Sequence, residues 1–255
     1  MADSTTLRDY TPRSLKSLLK AILGEVVLGA IDFVRFPELG EAWGGPFNGQ
    51  SSRMELFRSL VECLSPVAIV ETGTYLGTTT EFLAEFGVPV FTIEGHLRNY
   101  GFARARLWWR RNVMLCRGDS REELRRALDE RLRSFARQTI IFYLDAHWNA
   151  DLPLAEELEI TFGRCPAAVV MVDDFQVPND SGYGYDDYGP GKALTFDYIA
   201  PIVARHGIKA FYPATPSIDE TGARRGCVVL ARSAQQSKIL ASLPLLRLSK
   251  TVFAR

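Results

Sequence analysis

Apolar positions recur along this chain in two rhythms, and their alternation predicts the architecture. Leu15, Leu18, Leu19, Ile22, Val26 and Val27 follow a helical repeat, which predicts an amphipathic helix over Pro12–Val34. A loop rich in Gly, Pro and Asn follows from Phe36 to Arg53, then a helix over Met54–Leu64. From Val67 onward the pattern changes to short continuous apolar runs. They predict strands at Val67–Glu71, Val90–Glu94, Val113–Cys116, Ile140–Asp145, Ala168–Asp173, Lys209–Tyr212 and Cys227–Ala231. Helical patterns lie between them, at Thr78–Phe86, Leu97–Arg110, Arg121–Arg137, Leu152–Phe162 and Lys192–His206. Runs that are apolar throughout, separated by helices, predict a parallel sheet covered on both faces. Pro213 to Arg225 is too short for a helical crossover and predicts a hairpin. The fold class expected is α/β: a doubly wound, mostly parallel seven-stranded sheet with an antiparallel last strand and an N-terminal helical extension. The divisions expected are residues 1–65 for the extension and entrance loop, 66–233 for the main domain and 234–255 for a C-terminal tail.

Composition narrows the partners. Of 255 residues, 47% are hydrophobic, enough for a full core. Lys+Arg and Asp+Glu number 30 each, so formal net charge is zero and nothing argues for a nucleic-acid partner. Trp108-Trp109-Arg110-Arg111 reads as a helix face with solvated arginines. Cys63, Cys116, Cys165 and Cys227 show no C-x-x-C spacing, which predicts a reduced set and a cytoplasmic protein without structural zinc. The apolar segment Leu18–Val34 is interrupted by Lys20, Glu25 and Asp32, so no membrane span is expected there. The same helix is a candidate homo-oligomer contact.

One turn carries the first chemical signal. Glu71-Thr72-Gly73-Thr74-Tyr75-Leu76-Gly77 joins a predicted strand to a predicted helix, the arrangement that seats a nucleotide-like ligand. Its spacing, Glu-x-Gly-x-x-x-Gly, is not the Gly-x-Gly-x-x-Gly of dinucleotide binders, and Tyr75 stands where a pyrophosphate needs a glycine. The second strand ends at Glu94, about 20 residues on, where a carboxylate accepts ribose hydroxyls. The third leads into Gly118-Asp119-Ser120. Asp119 there is placed to accept an adenine amino group, and equally to cap the helix from Arg121.

The second signal is acidic. The fourth strand ends in Asp145-Ala146-His147-Trp148 and the fifth in Asp173-Asp174. Neighbouring strand ends should bring Asp145, Asp173 and Asp174 together, where they repel unless a cation joins them. Oxygen ligands suit Mg²⁺ or a similar hard divalent ion. The Gly- and Tyr-rich segment Gln176–Gly191, with Tyr183, Tyr185, Tyr188, Asp186 and Asp187, reads as a binding loop or lid. Weaker candidates for contact with a small acceptor are Trp148 and, in the N-terminal loop, Asn48 and Gln50.

The glycine turn, Glu94, Asp119 and the acidic strand ends together resemble class I S-adenosylmethionine (SAM)-dependent methyltransferases over roughly Val67–Ala231. In motif pattern they resemble most the macrocin O-methyltransferase-like group of metal-dependent small-molecule O-methyltransferases. The resemblance implies SAM contacts from Glu71, Gly73, Thr74, Tyr75, Gly77, Glu94, Gly118, Asp119, Ser120 and Asp145. It implies a metal at Asp145, Asp173 and Asp174, with catalytic parts for Asp145 and His147. The latter stands where that group places an acid or base, and metal ligation is its other reading. The acceptor implied is a sugar or phenolic hydroxyl. Two other readings stay open: an oxidoreductase of the cephalosporin hydroxylase-like type on the same fold, and a non-catalytic SAM-fold binding protein.

Overall fold

The computed structural model describes residues 13–147 and 151–249. Strands β1 (Ala68–Thr72), β2 (Val90–Glu94), β3 (Val113–Arg117), β4 (Ile140–Leu144), β5 (Val169–Val172), β6 (Lys209–Pro213), β7 (Val228–Ala231) and β8 (Leu246–Leu248) form one sheet in the order β3-β2-β1-β4-β5-β7-β6-β8. The first five run parallel. β7 enters antiparallel between β5 and β6, as the hairpin reading required, and β8 is antiparallel to β6. The segment read as a C-terminal tail thus supplies an eighth strand and the helix α8 (Ala234–Ser242) before it. A strand of three residues is too short for its alternation to be read in the sequence.

Alternate residues of each strand face opposite layers. Val70, Phe142, Leu144, Val170 and Val172 pack under α5 (Ser120–Arg126), α6 (Leu154–Arg164) and α7 (Phe196–His206), through Leu124, Leu158 and Val203. Ile69, Ile141, Tyr143, Val169 and Met171 pack against Phe57 and Leu60 of α2 (Ser51–Leu64), Phe82 and Leu83 of α3 (Thr78–Ala84), and Leu240 of α8. The predicted helix Arg121–Arg137 is divided: α5 passes into a π turn at Ala127–Arg131 and a short 3-10 turn at Arg133–Phe135.

The N-terminal helix α1 (Arg13–Arg35) is broken at Gly24, whose φ of 72° is not helical. Beyond that break it lies on α4 (Leu97–Leu107). The crossing is backbone on backbone. A Cβ on Gly29 would fall 1.9 Å from the Arg98 carbonyl oxygen, and one on Gly101 would fall 2.0 Å from the Val26 carbonyl oxygen. Asp32 accepts two hydrogen bonds from the Arg98 guanidinium, at 2.5 and 3.1 Å, and Phe33 meets Phe102 edge-on. Val27, Ile31 and Val34 remain exposed. No helix among the described residues is long and apolar enough to cross a membrane.

Strand order reverses between β1 and β4, so the crevice of the sheet opens at their carboxyl ends.

Candidate functional site

The glycine turn forms one wall of that crevice. Gly73 has φ +86°, and a Cβ there would sit 2.2 Å from the Asp145 carbonyl oxygen. Only glycine lets the end of β1 lie this close to the end of β4. Gly77, with φ +80°, starts α3, where a Cβ would press on Leu107. Tyr75, itself at φ 51°, donates its backbone N–H to Glu94 Oε2 at 2.7 Å. The N–H of His96 reaches Glu94 Oε1 at the same distance. Burial raises the Glu94 carboxyl, and the two amides work against that shift. Each carboxylate oxygen has two lone-pair directions, so capacity is left for a diol.

Glu71 and Thr74 of this half are turned into the protein, and Asp119 carries a helix cap. Glu71 lies under the turn, fully buried, accepting hydrogen bonds from Thr80 (2.5 Å) and Thr92 (2.6 Å). Burial pushes its carboxyl up to about 7. Glu71 therefore braces the turn and does not line the crevice. Thr74 is buried with its hydroxyl 2.5 Å from that of Thr92. Asp119 caps α5, accepting the Arg121 N–H at 2.9 Å, and both its oxygens take the Arg121 guanidinium. Those bonds hold the Asp119 carboxyl below the usual range. Its neighbours Gly118, at φ +153°, and Ser120, the buried first residue of α5, complete the strand-to-helix turn.

Across the crevice the acidic strand ends converge, with one exchange of partners. Asp145, His147 and Asp174 each present a donor atom within 4.8 Å of the others. Asp173 turns the opposite way. It is 1% exposed, forms an ion pair with the buried Arg53, and accepts the Tyr143 hydroxyl at 2.5 Å. The expected metal role of Asp173 is corrected on that ground: past the end of β5 the backbone turns at Asp174, φ 51°, and the inner carboxylate is consumed by Arg53. His147 takes its place. The imidazole is buried, neither ring nitrogen has a hydrogen-bond partner among the described residues, and burial lowers its pKa. A buried neutral imidazole with both nitrogens unsatisfied is the feature that fits a metal ion.

Asp145 is raised well above the ordinary carboxylate range. The cause is first its depth in the pocket, although a third of its side chain meets solvent, and then the charges of Asp174, Glu71 and Asp186. Asp186, from the tyrosine-rich loop, joins the cluster through Arg225, which donates Nε–H to Asp174 at 2.6 Å and pairs with Asp186. With all three ionised, Asp145, Asp174 and Asp186 against Arg225 would leave two negative charges, the complement of one divalent ion.

The candidate acceptor contacts divide. Gln50 is fully buried and pairs with the Arg225 peptide, accepting its N–H at 2.8 Å and donating to its carbonyl at 2.9 Å. Tyr183 is buried and donates to the Thr215 carbonyl. Both hold loops in place through these bonds. The Asn48 carbonyl accepts the Ala223 N–H at 3.1 Å. Tyr185 and Tyr188 are half-buried, and the Tyr188 hydroxyl meets Asp186 at 2.5 Å. Trp148 lies outside the described residues.

Sequence reasoning missed Arg53, Arg225 and Trp43. Arg53 and Arg225 sit in a helix and a hairpin loop with no spacing that marks them. Trp43 is the hydrogen-bonding neighbour of the Tyr75 hydroxyl and is more than half exposed. It has φ 61°, one of several left-handed residues between Trp43 and Gly49. That density of glycines was the available signal.

No protein-family model and no curated protein matches the sequence. Solved structures do resemble it. An O-methyltransferase from Bacillus cereus in complex with SAH aligns with a TM-score of 0.54 and 15% identity, over 86% of this chain and 97% of that one. A candidate O-methyltransferase from Klebsiella pneumoniae gives 0.50 and 17%, over 86% and 96%. A candidate caffeoyl-CoA O-methyltransferase from Staphylococcus aureus gives 0.50 and 16%, over 86% and 98%. At such identities the likeness is one of fold, and the fold is the Rossmann-like α/β arrangement of these proteins.

Proposed function

We propose that this chain is a SAM-dependent O-methyltransferase that methylates a hydroxyl of a small molecule, assisted by a divalent cation. The observation that supports it most is the placement of the Asp145–His147–Asp174 cluster across the crevice from Glu94. One side offers a seat for a nucleoside diol and the other a seat for a cation, and the close packing of Gly73 on the Asp145 backbone joins the two.

Each residue has a defined task in this reading. Glu94 accepts the ribose hydroxyls, held in position by the Tyr75 and His96 amides. The turn at Gly73–Gly77 brings backbone rather than side chains to the donor. Asp119 accepts from the adenine amino group with an oxygen lone pair that Arg121 leaves open. Asp145, His147 and Asp174 would hold the cation, which supplies Lewis acidity that lowers the pKa of the acceptor hydroxyl. His147, kept neutral by burial, offers a lone pair at neutral pH. The remaining barrier is alignment of oxygen, methyl carbon and sulfur, which a fixed crevice provides.

The test is calorimetry with SAM and SAH, followed by mass spectrometry of hydroxylated acceptors incubated with SAM. Binding of SAH and a product heavier by one CH₂ are expected. No binding at millimolar SAH ends the proposal. A histidine among the cation donors also suits iron, so a product heavier by one oxygen, formed without SAM, would assign the oxidoreductase reading instead.

A further inference from the structure

The acid cluster already contains a cation of its own. Arg225 hydrogen-bonds Asp174 Oδ1 through Nε and pairs with Asp186 through its other arm. Its guanidinium is held there from the backbone outward. Gln50, fully buried, grips both the N–H and the carbonyl of residue 225, and Arg53 also donates to that carbonyl. Gly226 next in the chain lies so close to the end of β5 that a Cβ would meet the Phe175 carbonyl oxygen at 2.2 Å, and the Phe175 N–H donates to the Gly226 carbonyl at 3.0 Å. The Cα of Arg225 is thereby fixed beside Asp174. Asp186 is fixed too: its N–H donates to the Asp174 carbonyl at 2.9 Å and its side chain takes the Tyr188 hydroxyl.

We infer that Arg225 is the built-in counter-cation of this cluster and competes with a divalent ion for the Asp174 carboxylate. The inference rests on the cation seat proposed above. A guanidinium bonded to a ligand oxygen draws away its electron density and adds a like charge beside the ion. It also supplies what Asp174 needs when no ion is bound, so the cluster does not fly apart through repulsion. Arg225 is a positioning residue here: it acts through Asp174 and touches no reactant. Its effect is to keep divalent affinity weaker than the two carboxylates and the imidazole would otherwise give and, with Asp186 counted, to leave a residual charge of two that a divalent ion cancels.

The experiment is a Mn²⁺ titration by calorimetry on the full chain, comparing wild type with Arg225→Gln and Arg225→Lys. Arg225→Gln is expected to bind Mn²⁺ about tenfold more tightly, and Arg225→Lys to fall between that variant and wild type, because the charge is retained while the fork that bridges Asp174 and Asp186 is lost. Structural damage alone would loosen the site, so tightening is a result that mere misfolding does not produce. If wild type binds Mn²⁺ and Arg225→Gln binds it no more tightly, the competition is refuted while the cation seat stands. If neither binds at millimolar Mn²⁺, the cation seat itself is refuted and the competition with it.

Discussion

Asp173 and Asp174 are neighbours in the chain that serve opposite sides of the β5 end: Asp173 is locked to Arg53 inside the protein, and Asp174 faces the crevice beside His147. The Asp174 backbone marks the change of direction, with φ 51° and its N–H donated to Asp173 Oδ1 at 2.8 Å. The two substitutions should therefore separate stability from activity. Asp173→Asn leaves Arg53 buried without a counter-charge and should cost about 3–5 kcal/mol in chemical denaturation. Asp174→Asn should change stability little and lower methyl transfer by about 100-fold or more, since it removes a proposed charged ligand of the cation. Equal stability losses in both would contradict this division.

Removal of divalent ions should abolish most turnover. We expect exhaustive chelation to reduce methyl transfer strongly, Mg²⁺ or Mn²⁺ to restore it, and SAH binding measured by calorimetry to change only slightly, because Glu94 and the glycine turn do not depend on the cluster. Full turnover in the presence of chelator removes the cation from the mechanism.

Stability should decline from mildly acidic to mildly alkaline pH. Glu157 on α6 is fully buried beside Thr72 and Ser120, and burial pushes its carboxyl from an ordinary 4.5 up to about 7. The folded state thus holds a proton that the unfolded state releases between those two values. That contribution is complete below about 4.5 and is lost as pH rises through 7. Glu71 acts in the same direction. Glu157→Gln, which needs no proton, should match wild type near pH 5 and exceed it near pH 8, by an amount on the order of 3 kcal/mol. Denaturant titrations at the two pH values check this, and an equal effect at both would show that Glu157 does not titrate as described.

Trp43 should report on the donor seat. Its indole stands at the Tyr75 hydroxyl, and the Tyr75 amide holds Glu94. SAH should change the intrinsic fluorescence of wild type, and Trp43→Phe should lose most of that change while calorimetric affinity falls only a few-fold. An undiminished signal in the variant would place the reporting tryptophan elsewhere.

The sheet was legible because its central strands β1, β4, β5 and β7 are buried on both faces, so each reads as a largely apolar run whose ends vary by a residue or two. The turn from Glu71 to Gly77 was legible for a different reason: Gly73 and Gly77 are glycines that sterics require. Side-chain direction was not. Whether Asp173 or Asp174 faces the crevice depends on Arg53, 120 positions earlier in the chain. Gln50 reads as a polar loop residue, yet it is buried because a hairpin loop presents a bare peptide to it. Such matches arise between distant segments, and no local pattern encodes them. Strand β8 was missed because three residues give no periodicity to measure.

The reciprocal glycines of α1 and α4 bear on how this protein can be engineered. A Cβ on Gly101 overlaps the Val26 carbonyl, so Gly101→Ala should part the helices and cost about 2 kcal/mol or more. Limited proteolysis within α1 would reveal the parting. Because α4 begins at the residue after His96, whose amide holds Glu94, the extension is seated on the same helix that frames that carboxylate. A shortened variant starting after residue 35 would thus bare the Gly101 ridge and take Asp32 from Arg98. Trimming for expression or crystallisation should stop before Gly24, where the helix itself is interrupted.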